Sequence, residues 1–115
     1  MRPFAYKILS PPTWAAAQEA GVLAATGDDA RDGFIHLSAA HQIAGTLARH
    51  FSGATDLVLV AFDAAALGPA LRWEASRDGA LFPHYYGALP VSAATGEWRL
   101  ARGGGGRFNL PDALT

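Results

Sequence analysis

The sequence contains no cysteine. That excludes a disulfide framework, an iron–sulfur cluster and a thiol nucleophile, and it fits a reducing compartment. Neither charge is in excess: nine lysines and arginines face ten aspartates and glutamates, for a formal net charge of −1. No long run of one sign occurs, so the electrostatic footprint of a nucleic-acid binder is missing. No apolar run approaches membrane-spanning length, and the opening residues Met1-Arg2-Pro3-Phe4-Ala5-Tyr6-Lys7 lack an apolar signal core. The expectation is a cytoplasmic protein with neither a nucleic-acid nor a membrane partner. There is no Gly-x-Ser-x-Gly elbow, no P-loop and no internal repeat. His36, His41 and His50 are spaced so that they do not converge once a helix follows His36, so no metal site is expected.

What is present is a chain of 115 residues, half of them hydrophobic, enough for one domain with one real core. Residues 1–102 read as that domain, and residues 103–115 as a Gly-rich linker, Gly103 to Gly106, with a tail. The tail is either mobile or docked by Phe108 and Leu110.

Phe4 to Leu9 reads as a first strand, with Phe4, Tyr6 and Ile8 on one face and Lys7 and Leu9 on the other. Ser10 fits an N-cap, Pro11 the first helical position, and Gly21 a left-handed stop. Thr26 to Asp32 is polar and reads as a loop, Phe34 to Leu37 as a short buried strand. Ser38 then caps a second helix with the stripe Ile43, Leu47 and Phe51, ended by Gly53. Asp56 to Phe62 is the clearest central strand, and Asp63 to Gly68 a turn or a single helical turn. Leu71 to Glu74 and Ala80 to Phe82 form a hairpin around the turn Ser76-Arg77-Asp78-Gly79, and Glu97 to Ala101 is the last strand. The fold class is α+β, with two helices against a mostly antiparallel sheet.

A few residues contribute little to such a core and point to chemistry. His36 stands at a strand end, in Gly33-Phe34-Ile35-His36-Leu37-Ser38, where Ser38 and helix amides present donors for a phosphate or carboxylate. It is a ligand contact, a general base, or a core histidine with both nitrogens satisfied. Lys7 is an anion contact or an edge lysine reaching solvent. Arg72 and Glu74 share one strand face while Trp73 takes the other, as a solvated ion pair or as a ligand-facing carboxylate oriented by arginine. His84, Tyr85 and Tyr86 follow Pro83, and stacked aromatics beside a histidine suit a planar ring, although either tyrosine could equally belong to the core.

Tyr6-Lys7-Ile8-Leu9, Gly33-Phe34-Ile35-His36-Leu37-Ser38, Leu71-Arg72-Trp73-Glu74 and Leu81-Phe82-Pro83-His84-Tyr85-Tyr86-Gly87 resemble family 952 of the domains of unknown function, from about Phe4 to Leu100. More remotely, the motif order is similar to the catalytic domain of RNA 2′-phosphotransferases, in the ADP-ribosyltransferase superfamily. There a strand ending Tyr-His-Gly-Thr precedes a helix, a later His-Leu-Ser opens the next, and a Val-Asp strand and an Asn-Gly hairpin follow. The corresponding pieces here are Tyr6 to Leu9, His36-Leu37-Ser38, Val60 to Asp63 and Asp78-Gly79. Lys7 replaces the superfamily's first histidine, and Ala80 or Leu81 falls where many transferases carry a catalytic glutamate.

The resemblance implies an ADP-ribosyltransferase-like split sheet with a cleft between its halves. It implies NAD, ADP-ribose or a related phosphorylated nucleotide as substrate or ligand, with no permanently bound cofactor, and weak ADP-ribosyl transfer or glycohydrolysis. On this reading His36, Glu74 and His84 are the catalytic candidates, sharing one concavity with Lys7 on its rim. Lys7, Ser38, Arg72, Tyr85 and Tyr86 bind ligand: Lys7 and Ser38 meet a diphosphate, His36 a ribose hydroxyl, and Tyr85 or Tyr86 a planar ring. The alternative is a catalytically silent interaction module with a vestigial cleft; RNA phosphotransfer is disfavoured by charge and length. The identity of any protein partner is not legible.

Overall fold

The structure, a computed structural model, describes residues 3–76, 79–102 and 108–111. Its strands are β1 (Phe4–Leu9), β2 (Val22–Leu23), β3 (Ile35–His36), β4 (Asp56–Asp63), β5 (Leu71–Ala75), β6 (Leu81–Tyr85), β7 (Leu89–Pro90) and β8 (Ala94–Ala101). Its α-helices are α1 (Pro11–Ala20), α2 (Asp28–Asp32), α3 (Ile43–His50) and α4 (Ala64–Leu67).

The apolar run of β4 makes it a strand buried on both faces, lying between β1 and β8 in an antiparallel sheet. Alternation divides its side chains between two cores. Val58, Val60 and Phe62 enter one with Ala5 and Leu9 of β1, and Leu57, Leu59 and Ala61 enter the other with Tyr6 and Ile8. Helix α1 closes the first core with Trp14 and Ala17, the Trp14 indole meeting Phe62 edge-on. Helix α3 closes the second with Ile43 and Leu47. The signals around α1 act as their chemistry dictates: Ser10 Oγ accepts from Thr13 N–H, Pro11 opens the helix, and Gly21, at φ 84°, donates back to Ala17 O.

A second antiparallel sheet has the order β3-β6-β5, and β2 pairs with β7 in a small ladder of its own. The result is a small single-domain α+β protein with mostly antiparallel sheets. Among the described residues, no helix is long and apolar enough to cross a membrane.

Several expectations need correction. Thr26 to Asp32 is not all loop, because α2 forms there with Asp28 and Asp29 in its first turn and Arg31 in its last, charges that suit the helix dipole. Ser38 does not cap a helix. Its backbone forms an antiparallel bridge with Tyr6, and its hydroxyl bonds Thr46 at 2.9 Å. The helix opens instead with a 3₁₀ turn over Ala40–Gln42, where Gln42 Oε1 accepts from Ala39 N–H, and it ends at His50 rather than at Gly53. Strand β3 is only two residues, since Leu37 continues by a lone bond to the Pro83 carbonyl. Strand β8 starts at Ala94, three residues before expected, and the short β2–β7 ladder was not expected at all. Arg77 and Asp78 of the hairpin turn and residues 103–107 and 112–115 of the tail lie outside the described residues. Phe108 and Leu110 pack against the second core.

Phe62 is fully buried in the first core. Phe62→Ala should therefore cost about 3–5 kcal/mol, a large part of the roughly 5–15 kcal/mol a domain holds in total. Urea unfolding measures it, and a loss under 1 kcal/mol would contradict the packing described.

Candidate active site

The site is built where the two main sheets part. Segment 35–38 belongs to both: Ile35 and His36 pair with Tyr85 and His84 of β6, and Ser38 exchanges both backbone bonds with Tyr6 of β1, each 2.8 Å. Continued by two residues, that antiparallel register would pair Ile8 with His36. It does not continue. The His36 N–H donates instead to Asp29 Oδ1 at 3.1 Å, and the His36 carbonyl accepts from Lys7 Nζ at 3.1 Å. Lys7 and Asp29 themselves join at 2.9 Å, both largely buried. An ion pair thus takes the place of a strand pair, and the sheets diverge around it.

Alternation leaves Ile8 with its N–H and C=O facing the same side as those of Tyr6, toward the opening. None of the described residues supplies them with a partner.

The same register sets which side chains share a face. Opposite residues in an antiparallel sheet lie on one side, and His36 faces His84 while His84 faces Arg72. Glu74, two residues from Arg72, joins them. The other face carries Ile35, Leu71 and Tyr85 into the first core. The His36 and His84 rings lie 5.5 Å apart, edge to face, and Phe34 stacks on His84 at 4.0 Å while touching His36 at 4.6 Å. Each imidazole has an acidic partner. His84 Nδ1 is 2.9 Å from Glu74 Oε1, which also accepts from the Tyr86 hydroxyl at 2.7 Å. His36 Nδ1 is 2.6 Å from Asp29 Oδ1, and its Nε2 is 3.0 Å from Asp32 Oδ2.

These contacts shift the acids. Burial pushes the Asp29 carboxyl up, but the Lys7 charge with hydrogen bonds from His36 and Lys7 outweighs it and holds Asp29 below the usual range. Hydrogen bonds from Tyr86 and then His84 hold Glu74 down. The Glu74 bond in turn raises the Tyr86 phenol.

A cleft of about 1160 Å³ opens beside this cluster. Lys7, His36, Ser38 and His84 line it together with Asp29, Asp32 and Phe34, and the α3 side adds His41, Arg49 and His50. Of the expected site residues, Glu74 stands behind His84 rather than on the lining, and Arg72 lies over the Tyr86 ring at 5.0 Å. Tyr86 reaches the cluster through its hydroxyl, its ring 5.4 Å from Phe34. Tyr85 packs against the core and offers no ring to the cleft, because β6 alternation turns it away from His84. Among the described residues, no group of three or more acidic or histidine side chains is placed to hold a metal ion.

Residues 8–96 match the family model described as "Protein of unknown function (DUF952)". The chain belongs to this family. It is similar to protein CC0527 from Caulobacter crescentus, whose X-ray crystal structure is 47% identical, with a TM-score of 0.89 over 96% of this chain and 97% of that one. The solution NMR structure of CC0527 is likewise 47% identical and gives 0.82 over 90% of each chain. No curated protein matches the chain.

Sequence reasoning missed Asp29, Asp32 and Phe34. Phe34 had one available signal, since it lies two residues before His36 and so falls on the same strand face. The aspartates had none, being read as loop.

Asp29 carries a testable consequence. Its folded pKa lies below the model-compound value of 3.8, so its contribution is present above that pH and is lost as pH falls through the lower folded value. Asp29→Asn should lower stability at pH 7 by about 2–3 kcal/mol, between an exposed and a buried pair. Its stability should also fall less on acidification than the wild type's. Urea unfolding at pH 7 and pH 3 checks both, and a variant equally stable at pH 7 would remove the pair from its supporting role.

Proposed function

We propose that the cleft binds a phosphorylated nucleotide of the NAD or ADP-ribose class, with the His36–His84 cluster at its reacting end. The observation that carries this reading is the convergence of two carboxylate-backed imidazoles on the lining of one cleft between diverging sheets. The split-sheet arrangement is what an ADP-ribosyltransferase-like fold would have. Its volume of about 1160 Å³ is ample beside the roughly 300–1,000 Å³ of small-molecule sites.

The chemistry follows from donors and acceptors. The open N–H and C=O of Ile8 form a side-by-side donor and acceptor, which a primary amide such as a nicotinamide carboxamide completes. Glu74, accepting from Nδ1, fixes the His84 tautomer with its free lone pair on Nε2, the arrangement of a general base for water or an acceptor hydroxyl. Glu74 orients His84, and weak glycohydrolysis or ADP-ribosyl transfer is the activity that fits. Lys7 and Asp29 position His36, the Lys7 ammonium being already committed to Asp29 and the His36 carbonyl. Ser38 lines the cleft with its hydroxyl on Thr46.

A second reading, a catalytically silent interaction module with a vestigial cleft, draws on one observation: Lys7 and both His36 nitrogens face partners within the chain. Thermal shift with NAD, ADP-ribose and nicotinamide separates the two. A ligand at a hundred times its Kd stabilises the native state by about 2.7 kcal/mol, which raises the melting temperature by several degrees. Nicotinamide release from NAD should fall in Glu74→Gln with binding retained. No shift with any of the three at millimolar concentration would favour the silent module.

A further inference from the structure

Helix α2 presses an acidic side chain onto the one imidazole nitrogen that Asp29 leaves open. Asp32 Oδ2 lies 3.0 Å from His36 Nε2. The Arg31 guanidinium closes on the same carboxylate as a fork, Nε to Oδ1 at 2.9 Å and Nη2 to Oδ2 at 3.1 Å. Two N–H donors of a planar guanidinium therefore bond one anionic group at the cleft lining, and an imidazole nitrogen lies 3.0 Å from the same group. This is the donor set that phosphate oxygens take, and arginine suits it because its fork matches two oxygens at once.

We propose that Arg31 and His36 form a phosphate subsite, which Asp32 occupies in the ligand-free protein as an internal competitor. The nucleotide reading is deepened by naming where a phosphate group lands, and only the identity of the whole ligand rests on that reading.

Three observations support displacement of Asp32. The Arg31 side chain is 68% exposed and that of Asp32 32%. Exposed ion pairs contribute little to stability, so releasing this one costs the fold little. Helix α2 has no buried residue of its own and is bracketed by Gly27 and Gly33, at φ 55° and 87°, conformations open to glycine and strained for most residues. It is held by its ends and by Asp29. Like charge also acts on Asp32, since Asp28 and Asp29 line the same stretch of cleft, opposed by Lys7 and Arg31. Those two aspartates face an incoming phosphate as well, and they limit the affinity for inorganic phosphate by itself.

Removing the competitor should tighten the site. Isothermal titration with inorganic phosphate should give Asp32→Ala about tenfold tighter binding than wild type, the scale of one charge-assisted hydrogen bond. In the same titration the His36 Nε2 resonance should move, read from the imidazole ¹⁵N spectrum. Adding His36→Gln or Arg31→Gln to Asp32→Ala should each reverse the gain. All three residues are at least partly exposed, and melting curves confirm that each variant folds. Pyrophosphate and adenosine diphosphate serve as further ligands, and tighter binding of the diphosphate nucleotide identifies a nucleotide source rather than free phosphate. The proposal is overturned if Asp32→Ala binds phosphate no more tightly than wild type, or if the gain survives both second substitutions. Failure of NAD to bind would sink the nucleotide reading and leave this subsite standing, whereas a flat phosphate titration of Asp32→Ala does the reverse.

Discussion

One ion pair sets the shape of this protein. Strand β1 meets the segment after β3 at Tyr6 and Ser38, and a regular sheet would continue the pairing through Ile8 and His36. Lys7 and Asp29 intervene, each satisfying one backbone group of His36 and then each other. Backbone groups denied a strand partner in a largely buried place need another, or the opening would be costly. Here a charged pair meets that need for His36, and Ile8 is left open toward the cleft. Neither charge could be buried alone, so the pair, the split and the cleft depend on one another.

The cluster beside the split follows from register rather than from local sequence. Once His36 faces His84, and His84 faces Arg72, the period of two brings Glu74 to the same side and sends Tyr85, Ile35 and Leu71 into the core. Phe34 stacks on His84 and touches His36, so one apolar ring fixes the distance between two polar ones. The Glu74 carboxylate joins Tyr86 to the same group, and Arg72 over the Tyr86 ring adds a further contact. Glu74, His84, Tyr86 and Phe34 each meet at least two other members, so their positions support one another.

How much of this was legible depends on the range of the interaction. Helix α1 was readable because Ser10, Pro11 and Gly21 act within a few residues of themselves. Strand β4 was readable because eight residues suffice to show burial on both faces, and the β5–β6 hairpin because its turn is local. Helix α2 was not readable, since Asp28 to Asp32 carries no apolar stripe and buries nothing. The ladder of Val22–Leu23 with Leu89–Pro90 is too short for alternation to show. Ser38 suits a cap or an extended bridge equally well by itself, and only the distant Tyr6 decides between them. In the site, alternation alone grouped Arg72 with Glu74. The partnership of Asp29 with Lys7 and His36 spans gaps in sequence that no local pattern signals.

The two imidazoles are not equivalent, and their difference gives the cluster a direction. His84 is almost fully buried, has one acidic partner at Nδ1, and has no partner for Nε2 among the described residues. His36 is more open and has carboxylate oxygens at both nitrogens. On the proposed reading, His84 is the ring that accepts a proton and His36 the ring that holds an anion. A ligand with a phosphate at one point and a proton to lose a few ångströms away would meet both at once.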